Sequence, residues 1–442
     1  MDETRYIAAI EIGSSKVTGA VGTMSPNGVM TVLAVEKEDC NDIVRYGIIK
    51  NLGEVSNHVV RIIDKLNRNK AVSPRKISRF YVGLGGRSMK SLFSDVKILF
   101  PEPTEITENI IKRLKEDALT NAPTHNMEVV DVIPRSYMVD KMETSSPEGS
   151  IGRSISAVYD IITCRNELKQ NLKRTLEDKA EKKVEGYIVT PLAVANLVLT
   201  DEEKTLGCML VDFGAETTTV CIFRNGALNY YATLPLGGRN ITRDITSLSV
   251  LEERAEEIKR SSCKAVKDVQ NSLNICGIKL SDVNNLVVAR AEEIVANVIQ
   301  QVTYAGLKDK DLPGGIICVG GATNLGNMTD LIEKQSGMKV RKAQLPAGFE
   351  LEDPRARRFE ALQVVSLLYA AAQEGGPNCL EYHYDDYDSE NPYEPEYGPE
   401  DIDEQEDPVQ PVSGRRKLMD RFRNKISRIF APPEEEDEQE LE

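Results

Sequence analysis

The chain has 442 residues, 40% hydrophobic and 28% charged, which is enough for two or more domains with buried cores and excludes a chain disordered throughout. It has no apolar run near the roughly 18 residues of a membrane-spanning helix, no basic flank for a secretion signal, and eight cysteines without a Cys-x-x-Cys pair, so we expect a soluble cytoplasmic protein with free thiols. The net charge of −15 comes almost wholly from residues 376–442, which hold 21 acidic and 7 basic side chains and leave a nearly neutral body.

The body, residues 1–375, alternates strand-like and helix-like segments, which predicts an α/β fold. Its first element, residues 7–22, has the pattern of a strand, a tight Gly-Ser-Ser-Lys turn and a second strand. Gly13 lets backbone N–H groups approach a phosphate, and the hydroxyls of Ser14 and Ser15 can donate to phosphate oxygens. Taken alone, such an element is more often only a hairpin.

Residues 209–223 repeat this pattern, with Asp212 in the place of Glu11 and Gly214 in the place of Gly13. The hydroxyl residues of the second turn are Thr217 and Thr218. The carboxylate that ends each first strand can hold Mg²⁺ through water, which this ion gives up reluctantly. Two such hairpins facing one another would hold a triphosphate from both sides.

Two further elements complete the body. Residues 314–326 read as a buried strand, a Gly-Gly turn and a helix, and such a turn lets backbone pass close to a flat ligand such as a nucleoside. Residues 353–373 predict one helix, whose apolar positions are Phe359, Leu362, Val365, Leu368 and Tyr369.

After the body the composition changes sharply. Residues 376–414 carry six prolines and thirteen carboxylates but no lysine or arginine. Such a segment buries too little apolar surface to offset the entropy of ordering it. We therefore predict a disordered acidic linker.

Residues 415–431 predict an amphipathic helix, followed by an acidic tail at 432–442. An arc of about 120° on the helical wheel contains Leu418, Met419, Phe422, Ile426, Ile429 and Phe430. The basic residues outside it include Arg421, Arg423, Lys425 and Arg428. This pattern is typical of a helix that lies on an anionic membrane surface. The alternative is a terminal helix that docks on the body or on a partner helix.

The order and spacing of the three glycine elements are those of the actin, heat-shock-chaperone and sugar-kinase superfamily. Further stretches resemble the FtsA family of bacterial cell-division proteins, actin homologues that tether the tubulin-like FtsZ ring to the membrane. The stretches are 11–16, 80–90, 190–195, 211–214, 255–259 and 289–294, together with the helix at 415–431. The resemblance covers nearly the whole chain.

The resemblance implies a two-lobed, actin-like (duplicated ribonuclease-H-like) fold with the family's extra subdomain 1C. The implied subdomains are 1A at 1–84 and 164–200, 1C at 85–163, 2A at 201–236 and 303–350, 2B at 237–302, and a helix at 351–375 that returns to 1A.

The resemblance also implies the ligands and their residues. The cofactors are ATP and Mg²⁺. The phosphate-binding residues are Gly13, Ser14, Ser15, Lys16, Gly214, Thr217 and Thr218; the magnesium residues are Glu11 and Asp212; the adenosine residues are Glu256, Lys259, Gly320, Gly321 and Asn324. Ordinary structural roles compete: Lys16 as a solvated turn lysine, Glu256 and Lys259 as an exposed helix pair, and Asn324 as a helix cap.

The implied partners are the C-terminal peptide of FtsZ on 2B, further copies of the chain in filaments, anionic lipid, and later division proteins through 1C. Nucleic acid is not expected, because the body lacks a basic patch with interleaved aromatic residues. Two departures from the superfamily, Thr190 before the inter-lobe proline and Glu11 in place of aspartate, predict slow ATP hydrolysis at most. A small-molecule kinase and a type IV pilus assembly adaptor of the same fold are the alternatives.

Overall fold

The computed structural model describes residues 4–382 except 41, 123, 125–126, 268–273 and 276. The helices are α1 (Leu52–Asn67), α2 (Glu108–Asn121), α3 (Asn166–Lys173), α4 (Thr190–Val198), α5 (Asp201–Leu206), α6 (Gly238–Thr246), α7 (Glu252–Ser262), α8 (Leu280–Tyr304), α9 (Met328–Ser336) and α10 (Leu362–Gln373). The strands are β1 (Arg5–Ile12), β2 (Lys16–Met24), β3 (Met30–Asp39), β4 (Val44–Arg45), β5 (Ile48–Ile49), β6 (Arg75–Ile77), β7 (Arg79–Leu84), β8 (Lys90–Glu105), β9 (Met127–Val139), β10 (Met142–Thr144), β11 (Ile151–Arg165), β12 (Lys183–Val189), β13 (Cys208–Phe213), β14 (Thr218–Arg224), β15 (Ala227–Leu234), β16 (Asn274–Ile275), β17 (Ile278–Lys279), β18 (Ile316–Val319), β19 (Val340–Lys342), β20 (Glu350–Leu351) and β21 (Leu380–Tyr382).

The first lobe is built on a six-stranded sheet in the order β12-β7-β1-β2-β3-β20. Strands β1, β2 and β3 form an antiparallel meander, and β7 and β12 extend the sheet beside β1 as parallel strands. Helix α1 packs on β2 and β3, and α10 packs on β1, β2 and β7. Strand β2 is buried along nearly its whole length, as expected for a strand covered by helices.

The second lobe repeats this arrangement in a sheet of order β15-β14-β13-β18-β19. Strands β13, β14 and β15 are antiparallel, whereas β18 and β19 run parallel to β13. This lobe has its own apolar core, which includes Val211, Phe213 and Ile222. Over five strands the two sheets have the same order and directions, and β20 is an additional strand of the first sheet. This repeat confirms the predicted α/β, actin-like fold and places β1 and β13 at equivalent positions.

A smaller unit is inserted into the first lobe between β7 and β12. Its sheet has the order β10-β9-β11-β8, and α2 packs on β8 and β11. The core between helix and sheet includes Val96, Leu114 and Tyr159. One face of this sheet is thus covered by the insertion's own helix.

The single helix predicted over 353–373 is wrong in its first nine residues. Residues Pro354–Arg357 and Phe359–Ala361 form short 3₁₀ turns, and α10 begins only at Leu362. Two features explain the delay. The Asp353 carboxylate accepts the backbone N–H of Arg355, and Arg358 between the two turns has an extended backbone.

The disordered linker predicted from residue 376 begins too early. Strand β21 pairs antiparallel with β6, and Cys379 donates its backbone N–H to the carbonyl of Tyr6 at 2.8 Å. Cys379 and Leu380 are buried in the first-lobe core, which stabilises this pairing. The remainder of the predicted linker, the amphipathic helix at 415–431 and the tail at 432–442 lie outside the described residues.

Two further sequence expectations concern cysteines and membrane spans. The seven cysteines within the described ranges are all buried and free of disulfides, in agreement with the expected thiols. Of the helices given above, none combines the length and the apolar character needed to cross a bilayer.

Candidate functional site

Two matched turns follow β1 and β13. In each turn a glycine donates its backbone N–H to the carbonyl three residues on, Gly13 to Lys16 and Gly214 to Thr217, both at 2.9 Å. A Cβ atom at Gly214 would lie 2.8 Å from the Thr217 carbonyl oxygen, and one at Gly13 would lie 3.1 Å from that of Lys16. The close approach requires glycine at 214 and favours it at 13, so the two turns share one geometry.

The first turn presents polar groups at the surface. Ser15 is exposed and Ser14 is partly exposed. The Lys16 ammonium donates to the backbone carbonyl of Glu360 at 2.8 Å. That bond fixes the position of the ammonium group without neutralising its charge, which therefore still attracts an anion. Lys16 is thus more than a freely solvated turn lysine.

Glu11 and Asp212 come together beneath the turns. Asp212 Oδ2 accepts a hydrogen bond from Gln363 Nε2 at 2.8 Å, whereas its buried Oδ1 has no hydrogen-bond partner among the described residues. Burial raises the pKa of Glu11 to about 7; the Lys16 charge opposes this rise and the Asp212 charge adds to it. Burial also raises the pKa of Asp212 to about 6, against the Gln363 hydrogen bond and the Lys16 charge. A cation bound here would stabilise both carboxylates.

The donor set at these carboxylates fits magnesium. In the part of the chain that the structure describes, no cluster of three or more His, Cys, Asp or Glu side chains could hold a metal unaided. Mg²⁺ is usually held by one or two carboxylates together with water and the phosphates of a substrate. The hard oxygens of Glu11 and Asp212, one of them unpartnered, match that chemistry.

The third glycine element packs directly on the second carboxylate. Gly320 has a φ of +85°, and a Cβ atom there would lie 2.3 Å from Asp212 Oδ1. Only glycine fits this position without a shift of the backbone or the carboxylate. The adjacent Gly321 is exposed, and a Cβ there would have no atom within 4 Å. The strand of this element ends at Val319 as predicted, but the following helix, α9, begins only at Met328.

Glu256 and Lys259 lie one turn apart on α7 and pack against α6. Lys259 Nζ donates to Glu256 Oε2 at 2.6 Å, and to Thr242 Oγ1 and the Gly238 carbonyl at 2.9 Å each. Burial lowers the pKa of Lys259, although the Glu256 carboxylate opposes this. Burial alone would raise the pKa of Glu256, but the charge and hydrogen bond of Lys259 outweigh it and lower the pKa. All three N–H groups of Lys259 are engaged, so a ligand would have to displace one of these bonds to receive it.

A pair of glycines that the sequence analysis did not single out joins these elements. Gly238, the first residue of α6, donates its N–H to the Gly214 carbonyl at 3.0 Å. A Cβ at Gly238 would lie 3.0 Å from Ala322 Cβ and 3.6 Å from Lys259 Nζ. The second turn, the third glycine element and α7 therefore meet at the start of α6. The signal was available, since a Gly-Gly pair after a strand and before an amphipathic pattern indicates a helix start.

Glu216, inside the second turn, was also missed. It is 1% exposed, and its carboxylate accepts the backbone N–H of Tyr46 and a guanidinium N–H of Arg243, both at 2.9 Å. Arg239 Nη1 lies 3.4 Å from the same carboxylate and 3.0 Å from Asp42 Oδ1. Because Asp42 and Tyr46 belong to the first lobe, this cluster joins the lobes at the second turn. In the sequence, Glu216 is indistinguishable from an exposed turn residue.

Two predicted ligand residues have other partners in the structure. The Thr218 hydroxyl is fully buried and donates to the Leu236 carbonyl at 2.8 Å. The Asn324 side chain is exposed, and its Oδ1 accepts from Lys342 Nζ at 3.3 Å. Thr217, by contrast, is partly exposed at the turn. The geometry therefore brings together the glycines, both carboxyls, Lys16 and the α7 pair more directly than it does Thr218 and Asn324.

Comparison with known proteins identifies close sequence relatives. The profile of the family described as "Cell division protein FtsA" matches residues 209–357, and that of the "SHS2 domain inserted in FTSA" matches residues 86–163. The cell division protein FtsA of Porphyromonas gingivalis is 31% identical over 388 residues, which cover 85% of this chain and 79% of that protein. The Pseudomonas aeruginosa protein of the same name is 26% identical over 404 residues, 88% of this chain and 95% of that one.

Among solved structures, the chain is similar to a "PilM-PilN type IV pilus biogenesis complex". The TM-score is 0.58 with 15% sequence identity, covering 83% of this chain and 96% of that one. At this identity the likeness concerns the fold alone.

Proposed function

Because the chain belongs to the FtsA family of bacterial cell-division proteins, we propose that it binds ATP with Mg²⁺ between its lobes, polymerises, and anchors FtsZ filaments to the cytoplasmic face of the cell membrane at the septum. The observation that carries the nucleotide part is the unpartnered Oδ1 of Asp212, which lies beside Glu11 under two matched glycine turns. A partly buried acidic pair in which one buried oxygen is unsatisfied favours a site that is completed by a cation.

The residues divide into three roles in this proposal. Glu11 and Asp212 hold Mg²⁺, which neutralises phosphate charge when bound. The phosphates meet the backbone N–H groups of both turns, the Lys16 ammonium and nearby hydroxyls, as follows: Gly13, Ser14, Ser15, Gly214, Thr217 and, from behind the turn, Thr218. The adenosine lies along the wall formed by Glu256, Lys259, Gly320, Gly321 and Asn324.

A fast ATPase is not part of this proposal. Thr190, before the inter-lobe proline, is 3% exposed, and its Oγ1 has no hydrogen-bond partner in the described ranges. A Cβ at Gly83 would come within 2.6 Å of that oxygen, so Thr190 is packed against β7. A buried hydroxyl is a poor general base, because it accepts a proton only weakly near neutral pH and the attacking water cannot easily reach it. Nucleotide therefore acts mainly as a ligand that favours closure and assembly.

Isothermal titration calorimetry tests the nucleotide part. Full-length chain titrated with ATP should bind more tightly with Mg²⁺ than with EDTA, and Asp212→Asn should remove most of that difference. Glu54→Gln, an exposed carboxylate in the first turn of α1, is the control and should behave as the wild type. Equal heats with and without Mg²⁺ would refute the proposed metal role.

Membrane attachment is proposed for residues 415–431 on the strength of their sequence pattern. Liposomes containing anionic lipid should sediment the full chain, and Phe422→Asp should abolish sedimentation because it places a charge on the apolar arc. Asn424→Asp is the matched control, since position 424 lies opposite the centre of that arc and gains the same charge. Equal losses for the two variants would favour simple electrostatics over an amphipathic helix.

The FtsZ peptide is proposed to dock on the segment 237–302. Within its described residues, Leu251 is the large hydrophobic side chain left most exposed, at 82%. Leu251→Asp should weaken binding of an FtsZ C-terminal peptide, measured by fluorescence anisotropy. Leu206→Asp, at an exposed leucine outside the segment, should not. If only the control weakened binding, the peptide site would lie elsewhere.

The adaptor and kinase alternatives have less support. The pilus complex shares 15% identity with this chain, against 26% and 31% for the two cell-division relatives. A kinase needs a general-base carboxylate at the reacting group, and the two carboxyls of this site are assigned to the metal.

A further inference from the structure

The inserted sheet presents an unusual edge. Strand β8 pairs with β11 on one side and is the last strand of its sheet on the other. Its exposed side chains alternate along the strand and form what we call the β8 row: Phe93, Asp95, Lys97 and Leu99. Phe93 is 73% exposed and Leu99 is 70% exposed. An edge strand with large apolar side chains in solvent is a ready template for pairing with another strand.

The opposite side chains of β8 are already used within the insertion. Ser94 and Val96 are buried, and Ile98 packs on the core beneath α2. The β8 row therefore lies on the face of the sheet away from α2, beside an open backbone edge. Strand β15 of the second lobe approaches β8, but the four side chains of the row remain exposed and no strand within the described ranges pairs with the outer edge of β8.

The β8 row is self-complementary when two copies of the strand pair antiparallel. With Val96 opposite its own copy, Asp95 faces Lys97 of the second copy, and Lys97 faces Asp95. In the same register Phe93 faces Leu99, again twice. Directly opposed side chains in antiparallel strands lie close enough for ion pairs and apolar contacts to form. One register thus makes two opposite-charge pairs and two apolar pairs.

We propose that two copies of this chain associate about a twofold axis at Val96, by antiparallel pairing of their β8 strands into one continuous eight-stranded sheet. This contact is isologous, whereas a contact that repeats along an open filament is heterologous, so the two can coexist in one assembly. The occupant of the edge is a second copy because the charge pattern is self-complementary.

The ends of the edge set its usable length. Pro101 and Pro103, beyond the row, lack the N–H needed to pair and confine the contact to the stretch before them. At the other edge of the sheet, β10 has only three residues, Met142–Thr144. The seven residues from 93 to 99 make a small interface, so we expect a weak, concentration-dependent dimer.

Charge reversal tests the register. In sedimentation velocity of the full-length chain without nucleotide or lipid, Asp95→Lys and Lys97→Asp should each weaken the dimer about tenfold, because each turns two attractive pairs into repulsive ones. The double variant Asp95→Lys/Lys97→Asp should recover near wild-type association. Glu202→Lys, which makes the same charge change at an exposed site in α5, should have no effect.

A cysteine pair tests the geometry independently. A mixture of Asp95→Cys and Lys97→Cys chains should form an intermolecular disulfide on mild oxidation, whereas either variant alone should not exceed the wild-type background. A wild-type chain that stays monomeric at 100 μM would overturn the proposal. So would a dimer insensitive to the reversals, a double variant that is not restored, or equal cross-linking in unmixed samples.

Discussion

The two glycine turns have the same backbone geometry but different side chains. Each glycine closes its turn onto the carbonyl three residues on, yet the residues between are Ser-Ser in the first turn and Ala-Glu in the second. In the first turn Ser15 is exposed, whereas Glu216 at the equivalent position is 1% exposed and bonded to both lobes.

This difference indicates that the two duplicated turns have different roles. The first turn keeps a cation and two hydroxyls at the surface, where a ligand can reach them. The second turn uses its carboxylate to hold the lobes together beside the proposed ligand site. A ligand that touches both turns would therefore act on an inter-lobe contact as well as on its own binding groups.

The largest expected effect comes from removing the functional group of the side chain at each of the equivalent positions, 216 and 15. Glu216→Gln should lower the free energy of unfolding by about 2–3 kcal/mol, because it removes the buried counter-charge of Arg243 and one of the carboxylates around Arg239, which keeps Asp42 and Glu252. Ser15→Ala should change it by less than about 0.5 kcal/mol. Urea denaturation of the nucleotide-free chain measures both, and equal effects would refute this difference in roles.

The carboxyls behind the turns come next. Asp212→Asn should weaken Mg-ATP binding about ten- to a hundredfold by calorimetry, because it removes the negative charge of the carboxylate whose Oδ1 has no hydrogen-bond partner. Glu11→Gln should cost less at pH 7, since the pKa of Glu11 is already raised to about 7. The reverse ranking would mean that the first hairpin supplies the principal metal ligand.

Within the turns, Lys16 and Thr217 occupy matching positions. Lys16→Ala should weaken ATP binding about tenfold and Thr217→Ala about threefold, because hydrogen bonds from charged donors are worth more than those from hydroxyls. Competition with a fluorescent ATP analogue measures both. An unchanged affinity for Lys16→Ala would mean that Lys16 does not contact ATP and is only a structural residue bonded to the Glu360 carbonyl.

The smallest effect is the pH dependence of the acidic pair. Both pKa values are raised in the folded chain, to about 7 and about 6, so the folded state binds more protons than the unfolded state from about pH 4 upward. The pair therefore favours folding at low pH, and this contribution is lost as the pH rises through 6 and 7. Mg²⁺ competes with those protons, so Mg-ATP affinity should rise from pH 6 to pH 8. The Glu11→Gln/Asp212→Asn variant should show a smaller rise, because only the terminal phosphate of ATP, whose last pKa is about 6, still loses a proton in this range.

Local pattern was sufficient for the parts of the fold whose causes are local. The strand–turn–strand elements at 7–22 and 209–223 follow from glycine placement between apolar segments, and both form antiparallel hairpins. The equivalence of Glu11 and Asp212 could be read from the same pattern. Position along the chain was enough because a hairpin brings together residues that are near in sequence.

The features that were missed depend on contacts between distant segments. Gln363 reaches Asp212 from a helix 151 residues further along the chain. Glu216 is buried because a first-lobe loop covers it, and residues 379–382 are ordered because β6 offers them an edge. The late start of α10 has a local cause, the bond from the Arg355 backbone N–H to the Asp353 carboxylate, but this bond competes with an apolar pattern that favours a longer helix.

Strand β21 has a mechanical consequence. Its last residue, Tyr382, lies on the Arg75 guanidinium, which also stacks on Tyr6, with 4.3 Å to each ring centre. If residues beyond Tyr382 are attached to a membrane, a force on that attachment is transmitted to the body through these three side chains and the first-lobe sheet. The lobe with Glu256 and Lys259 then receives this force through the chain crossings and the contacts between the lobes, which include the cluster at Glu216 and the bond from Arg135 to the Asn229 carbonyl. A nucleotide in the proposed site would add to that coupling.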